Sequence, residues 1–203
     1  MNPKISVLVS IIALIYYNKV GGQVYYISSP DSHLNINVNF TKETCFKIAF
    51  KGKKVVEKIC VDLTLSDGRA FGSSPKVTSK KSEKFNQTIE VPVPNKDRII
   101  KSDFNQLTIF FQKKYNLIIR AYNDGFAYRF IDKKNNFKNV IDEKLELHFN
   151  DGTISYFPWE ESTYSHNERL YNRVGISNLT DKDFCSLPVL FNSNETKILF
   201  SEA

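Results

Sequence analysis

Apolar and polar residues alternate along much of this chain. Residues 34–40 place Leu34, Ile36, Val38 and Phe40 on one side and Asn35, Asn37 and Asn39 on the other. A period of two marks a strand buried on one face. Residues 45–51 repeat it with Phe46, Ile48 and Phe50, and residues 104–112 with Leu107, Ile109 and Phe111. The strongest signal spans 115–131, where Leu117, Ile118, Ile119 and Tyr122 precede Asn123-Asp124-Gly125. Asp-Gly between strand-forming runs predicts a hairpin whose glycine takes a positive φ. After the turn Phe126, Tyr128 and Phe130 share one face, and Ala127, Arg129 and Ile131 the other. The pattern predicts a central antiparallel hairpin with one aromatic face buried.

Further strands are predicted at 24–28, 55–56 and 59–65. A strand at 88–93 is predicted at a sheet edge, because Pro92 and Pro94 cannot donate to a central ladder. Residues 144–149 and 153–157 read as a hairpin across Asn150-Asp151-Gly152, and 187–192 and 197–201 as a last pair around Asn192-Ser193-Asn194. Turns fall at Ser29-Pro30-Asp31-Ser32, Lys51-Gly52-Lys53 and Ser66-Asp67-Gly68. Residues 69–78 read as a surface connection and 133–139 as a polar loop. Only 159–172 reads as mildly helical, with a short turn at Asp181-Lys182-Asp183. Many short strands at regular spacing predict an all-β, mainly antiparallel sandwich or barrel. The composition agrees: 16 Phe and 10 Tyr against a single Met favour sheet over helix.

At 203 residues the chain is long enough for one domain with a core of its own. Residues 1–22 read as a secretory signal, with Lys4 ahead of an apolar run at 5–17 and Val20-Gly21-Gly22 as the cleavage region. An uncleaved anchor and a buried strand are the rival readings. The mature domain is then 23–203, secreted or periplasmic, with no stable membrane insertion after cleavage. The formal charge is +6, but Glu57, Asp62, Glu83, Asp132 and Asp142 interleave with the lysines. A nucleic-acid site wants its cations concentrated on one element, so nucleic acid is not an expected partner. Cys45, Cys60 and Cys185 form neither a zinc pattern nor a disulfide framework. Cys45 and Cys60 lie on neighbouring predicted strands and either pair or remain buried thiols. Asn39, Asn86, Asn178 and Asn194 each open an Asn-x-Thr sequon, which matters only in a host that glycosylates.

No catalytic constellation stands out. His33, His148 and His166 lack metalloprotease spacing, and there is neither a nucleophile elbow nor a phosphate-binding glycine loop. His148 reads as an ordinary sheet histidine. Phe157-Pro158-Trp159-Glu160-Glu161, followed by Tyr164, Glu168 and Tyr171, is dense in rings and carboxylates. Aromatic faces stack on sugars and carboxylates accept sugar hydroxyls, so Trp159, Glu168 and Tyr171 are candidate substrate-binding residues. The competing reading is a loop packed on the sandwich edge with Trp159 as its plug. Glu202 closes an apolar strand, and a strand-end carboxylate suits a hard cation such as Ca²⁺. A solvated terminal glutamate is the plainer reading.

Several segments, in order, resemble the N-terminal domain of glycoside hydrolase family 97. Ser29-Pro30-Asp31 is similar to its opening "SPDG". Residues 47–53 resemble "Y-x-V-x-Y-x-G-K", and 63–67 resemble "LGLEL" without its usual glycine and serine. Phe104-Asn105-Gln106-Leu107 matches "YNEL", with Phe for Tyr and Gln106 for Glu. Residues 120–130 match "R-x-x-N-D-G-x-x-[FY]-R-[FY]". Phe157-Pro158 with Glu168 and Tyr171 looks like "FP…YE…Y", residues 187–191 resemble "TPLLVE", and 198–203 resemble "YVAITEA".

The resemblance implies a β-super-sandwich of the galactose-mutarotase type, from an exported α-glucosidase or α-galactosidase acting on oligosaccharides. In that family the sandwich packs on a catalytic (β/α)₈ barrel that carries the carboxylates, and the Glu of "TEA", here Glu202, gives one ligand to a Ca²⁺ ion. The 203 residues stop at that segment, so no catalytic residue is assigned and the chain alone is expected to be inactive. The alternative from another class is a stand-alone secreted sandwich that binds carbohydrate or a surface partner without catalysis.

Overall fold

The computed structural model describes residues 23–93, 96–134, 138–166 and 168–202; the expected signal at 1–22 lies outside them. Among the described residues fourteen strands follow one another. They are β1 (Gln23–Ser28), β2 (Leu34–Phe40), β3 (Thr44–Phe50), β4 (Lys53–Leu65), β5 (Ala70–Phe71), β6 (Val77–Glu90) and β7 (Ile99–Phe111). Then come β8 (Tyr115–Ala121), β9 (Phe126–Asp132), β10 (Val140–His148), β11 (Ile154–Phe157), β12 (Asn172–Gly175), β13 (Val189–Ser193) and β14 (Thr196–Phe200). One 3₁₀ turn, Ile176–Asn178, is the only helical element among the described residues, and no helix there is long and apolar enough to cross a membrane.

Every strand pairing is antiparallel. The first sheet runs β1-β2-β3-β4-β10 with β5 on β4, the second β6-β7-β8-β9, and the third β12-β11-β13-β14. The alternation read from sequence sets the sandwich. Leu34, Ile36, Val38 and Phe40 are buried from the first sheet; Leu107, Ile109, Leu117 and Ile119 meet them from the second. Rings cross between the layers: Phe46 lies 5.5 Å from Tyr128, and Phe71 stacks on Tyr115 at 4.4 Å. A smaller core of Phe157, Val189 and Phe191 seats the third sheet against Phe149 and Leu147 at the end of β10.

The 115–131 hairpin is present, with its aromatic face half-buried against the main core. Only β8 is central; β9 is the edge of its sheet. The turn closes through Tyr122 N–H donating to the Gly125 carbonyl at 2.8 Å. Gly125 does not take a positive φ and has open space around its Cα, so the turn does not need glycine there. Lys51 and Gly52 do turn through positive φ (49° and 76°), as the tight β3–β4 hairpin requires.

Three expectations are corrected. Asn150-Asp151-Gly152 does turn the chain, but β10 pairs with β4 and β11 with β12 and β13, so the turn links two sheets. The described residues of 159–172 contain no helix; the segment is pinned through side chains. Residues 69–78 are no mere surface connection, since Phe71 is 2% exposed and β6 begins at Val77. The edge strand expected at 88–93 is present as the end of the 14-residue β6, which lies at the edge of its sheet and stops at Glu90, before Pro92.

Cys45 and Cys60 sit opposite each other on β3 and β4 and form a disulfide; Cys185 is free.

Candidate functional site

The opening motif and the hairpin motif meet in space. Ser29 is 1% exposed, and its hydroxyl accepts from Leu34 N–H at 3.0 Å and donates to Asp31. Asp31 accepts from His33 N–H at 3.0 Å, and its own N–H donates to Asn123 Oδ1 at 3.0 Å. Asn105 Nδ2 donates to the Ser28 carbonyl at 2.8 Å. The Ser29 hydroxyl, and then the His33 N–H and imidazole, hold the Asp31 carboxyl below the usual carboxylate range. These bonds clasp the β1–β2 turn to the ends of β7 and β8. Their work is structural, because they tie the turn to the neighbouring sheet.

The segment that follows β11 is the second feature. Pro158 is fully buried, and Trp159 packs edge-on against Phe157 at 5.1 Å. The indole N–H donates to Asp183 Oδ1 at 2.8 Å, and Trp159 bridges to Cys185. Trp159 is therefore the plug of the small core. Glu160, which the sequence reading noted but did not single out, has a side chain only 1% exposed. Arg169 Nε reaches it at 2.8 Å. The hydroxyl of Ser165 first, then Arg169 and the Ser186 hydroxyl, hold its carboxyl low against the cost of desolvation. Burial, with the Glu160 charge, pushes the Cys185 thiol up. Glu168 is exposed, and Tyr171 is exposed with its hydroxyl donating to the Pro188 carbonyl at 3.2 Å. Among the described residues no hydrogen bond, ion pair or ring contact joins Trp159, Glu168 and Tyr171 into one site. Two shallow concavities lie elsewhere, one lined by Glu90, Val91, Pro92 and Arg98 and one by residues that include Asn39, Glu43 and Lys58.

What this segment does present is apolar surface. Tyr164 is 97% exposed and Leu170 84%, with Tyr171, Phe184 and Leu187 also exposed. The outer face of the third sheet continues it through the register Tyr156, Leu190 and Leu199, the last 64% exposed. The pins at Trp159–Asp183, Glu160–Arg169 and Tyr171–Pro188 anchor this strap to the domain. Large apolar side chains held in water are a feature that interaction surfaces of many proteins share.

Glu202 follows β14 and is exposed. It lies close enough to Tyr128 that its charge, together with that of Glu143, adds to the burial that pushes the Tyr128 hydroxyl up to about 12. Glu143 and Glu202, the two carboxylates whose charges Tyr128 feels, are oxygen donors of the type Ca²⁺ takes. They fall short of the six to eight ligands it needs. Among the described residues the one tight group of metal-type ligands is Glu43, Cys45 and Cys60, whose sulfurs are joined to each other.

Comparison with known proteins bears on these features. The model of the family described as "Glycosyl-hydrolase 97 N-terminal" matches residues 27–203. A retaining alpha-galactosidase of Bacteroides thetaiotaomicron is 24% identical over 160 residues, which is 78% of this chain and 24% of that protein. The crystal structure of a beta-arabinopyranosidase superposes with a TM-score of 0.74 at 18% identity, covering 87% of this chain and 31% of that one. A glycoside hydrolase family 97 enzyme of Pseudoalteromonas sp. strain K8, in complex with acarbose, gives 0.69 at 18% identity over 84% of this chain and 27% of its own. The same enzyme is also known with panose. The chain thus spans about a quarter to a third of the length of the proteins it matches.

Proposed function

The chain belongs to the glycosyl-hydrolase 97 N-terminal family, and on that premise we propose that it is the accessory sandwich of an exported α-glycosidase, of α-glucosidase or α-galactosidase type. In this reading residues 23–203 dock on a catalytic (β/α)₈ barrel, help to complete its active site and themselves hold no catalytic residue. The observation that carries it is the pinned apolar face of Tyr164, Leu170, Phe184 and Leu199 beside a strand that ends near Glu202. A lone domain gains nothing by holding these side chains in water, whereas burying them against a partner is worth roughly 25 cal/mol per Å².

Tyr171 and Glu168, on the same strap, are the side chains placed to reach an oligosaccharide at the edge of such a barrel. Glu202 supplies one oxygen ligand to a shared Ca²⁺, the rest coming from the barrel. When bound, that ion stabilises negative charge beside the sugar. The Cys45–Cys60 disulfide supports export behind the 1–22 signal, because disulfides persist in oxidising compartments.

Calorimetric titration of the purified chain with Ca²⁺, maltose and melibiose tests this reading. No saturable heat with either sugar, and no hydrolysis of either, is the expected result. Saturable binding of a neutral sugar by the chain alone would overturn it in favour of a self-sufficient carbohydrate-binding module.

A further inference from the structure

The outer face of the second sheet carries a feature that docking does not use. Leu107 and Ile109 on β7 and Leu117 and Ile119 on β8 point into the core, so Phe104, Gln106 and Arg120 point the other way. On that outer side Phe85 of β6 stacks on Phe104 at 4.8 Å, and Tyr122 lies 5.0 Å from the same ring. The Arg120 guanidinium sits 4.6 Å from the Phe104 centroid, and its Nε donates to Gln106 Oε1 at 2.9 Å. Gln106 Nε2 in turn donates to Thr108 Oγ1 at 3.4 Å. Phe104 is 1% exposed and Gln106 9%, so the floor of the cluster is packed like a core on the outer side of its sheet.

Arg120 is therefore oriented at one edge by an amide and over one face by a ring. No ion pair among the described residues includes it. The acid nearest in register, Glu83 opposite Gln106, is paired with Lys81 at 2.7 Å. The two terminal guanidinium nitrogens donate to no protein acceptor among the described residues. Gln106 stands where the similar "YNEL" segment has a glutamate, which would place a negative charge on the Arg120 Nε. Here the partner is neutral, and the cation stays available.

We propose that this face binds the carboxylate of a hexuronic acid residue in an acidic oligosaccharide, through the free fork of Arg120. A guanidinium presents paired donors that match a planar carboxylate in a bidentate pair. Phe85 and Tyr122, both half-buried, pack on the same Phe104 ring as the guanidinium and offer apolar surface to the C–H face of a sugar ring. A single oriented cation between two rings suits a monoanionic group; a polyphosphate or nucleic acid would need several cations on one element. The Gln106 bond and the contact with Phe104 fix the guanidinium before the ligand arrives, which lowers the ordering cost of binding. The proposal stands independently of the docking role, since the two faces belong to different sheets.

The test is calorimetric titration of the purified chain with digalacturonate, maltose and sodium acetate at matched ionic strength. Digalacturonate binds saturably, and maltose and acetate at least about tenfold more weakly, as expected when a bidentate ion pair and ring stacking both contribute. Gln106→Glu, which keeps the side-chain shape, weakens digalacturonate by about tenfold or more because it neutralises Arg120 from within. Phe85→Ala, at the open rim, weakens it several-fold. Circular dichroism confirms that each variant is folded. Absence of saturable digalacturonate binding overturns the proposal. So does binding unchanged in Gln106→Glu, which would mean that the anion simply coats a chain of net charge +6. Equal binding of acetate overturns the sugar-recognition part and leaves a plain anion site.

Discussion

Removal of the Cys45–Cys60 bond gives the sharpest stability prediction. The two cysteines are 15 residues apart in sequence and face each other across β3 and β4. In the folded chain the hairpin is already closed by the Lys51-Gly52 turn and by the ladder between the strands. The bond therefore acts mostly on the unfolded chain, where closing a loop of about 15 residues removes freedom worth roughly 3 kcal/mol. The double variant Cys45→Ala, Cys60→Ala should lose about that amount. With a urea m-value of about 2 kcal/mol/M, the midpoint falls by roughly 1.5 M. In heat, a domain of this size loses roughly 6–12 °C. Unfolding followed both by far-UV circular dichroism and by the fluorescence of Trp159, the sole tryptophan, measures this and checks that the transitions coincide. Dithiothreitol on the unmodified chain should reproduce the loss. A loss below about 1 kcal/mol would refute the loop-closure reasoning; no response to reductant would show that the bond is not formed.

Gly72 and Gly125 make a paired test. Gly72 has φ 121°, and a Cβ there would fall 2.3 Å from the Val61 carbonyl oxygen, so Gly72→Ala should cost more than about 3 kcal/mol or abolish soluble expression. Gly125→Ala meets open space and should change the urea midpoint little, within about 0.5 kcal/mol. Asp132 accepts both terminal nitrogens of Arg69 at 2.7 and 2.6 Å, and this pairing lowers its carboxyl from 3.8 to about 2. A depressed folded-state value means that the contribution is complete above about pH 4 and lost as pH falls through about 2, to the extent of about 1 kcal/mol after solvent screening. Asp132→Asn should flatten that limb of an acid-unfolding profile, and an unchanged limb would remove the pair from the account. Leu117 is fully buried in β8, and Leu117→Ala should cost about 2–5 kcal/mol in the same urea assay.

Where burial alternates, the chain could be read directly: Leu34, Ile36, Val38 and Phe40 are all buried, and their polar neighbours half-exposed. β6 was legible only at its end, because Val77–Glu90 is largely polar and exposed and is held by its ladder to β7. Burial patterns cannot report a ladder. Nor do they choose partners, so the turn at Asn150-Asp151-Gly152 was seen while the pairing of β10 with β4 was not. The 159–172 segment carries helix-like spacing, yet its fixed points are Trp159–Asp183 and Glu160–Arg169, contacts between side chains distant or irregular in sequence. Trp159 could be read as plug or as sugar platform from composition, and the contact with Phe157 places it in the small core. Phe104 looked like one more aromatic in a strand; only the register reveals that it faces outward beneath Arg120.

The measurement that bears most directly on the accessory-domain role is a domain replacement. The chain from Gln23 onward is fused ahead of the catalytic barrel of a family member whose own N-terminal domain has been removed, and α-glycosidase activity is measured with and without Ca²⁺. The account predicts that the fusion regains calcium-dependent activity that the bare barrel lacks. Tyr164→Ser with Leu170→Ser should cut that gain without unfolding the sandwich. A fusion that is folded by circular dichroism yet no more active than the bare barrel would contradict the account.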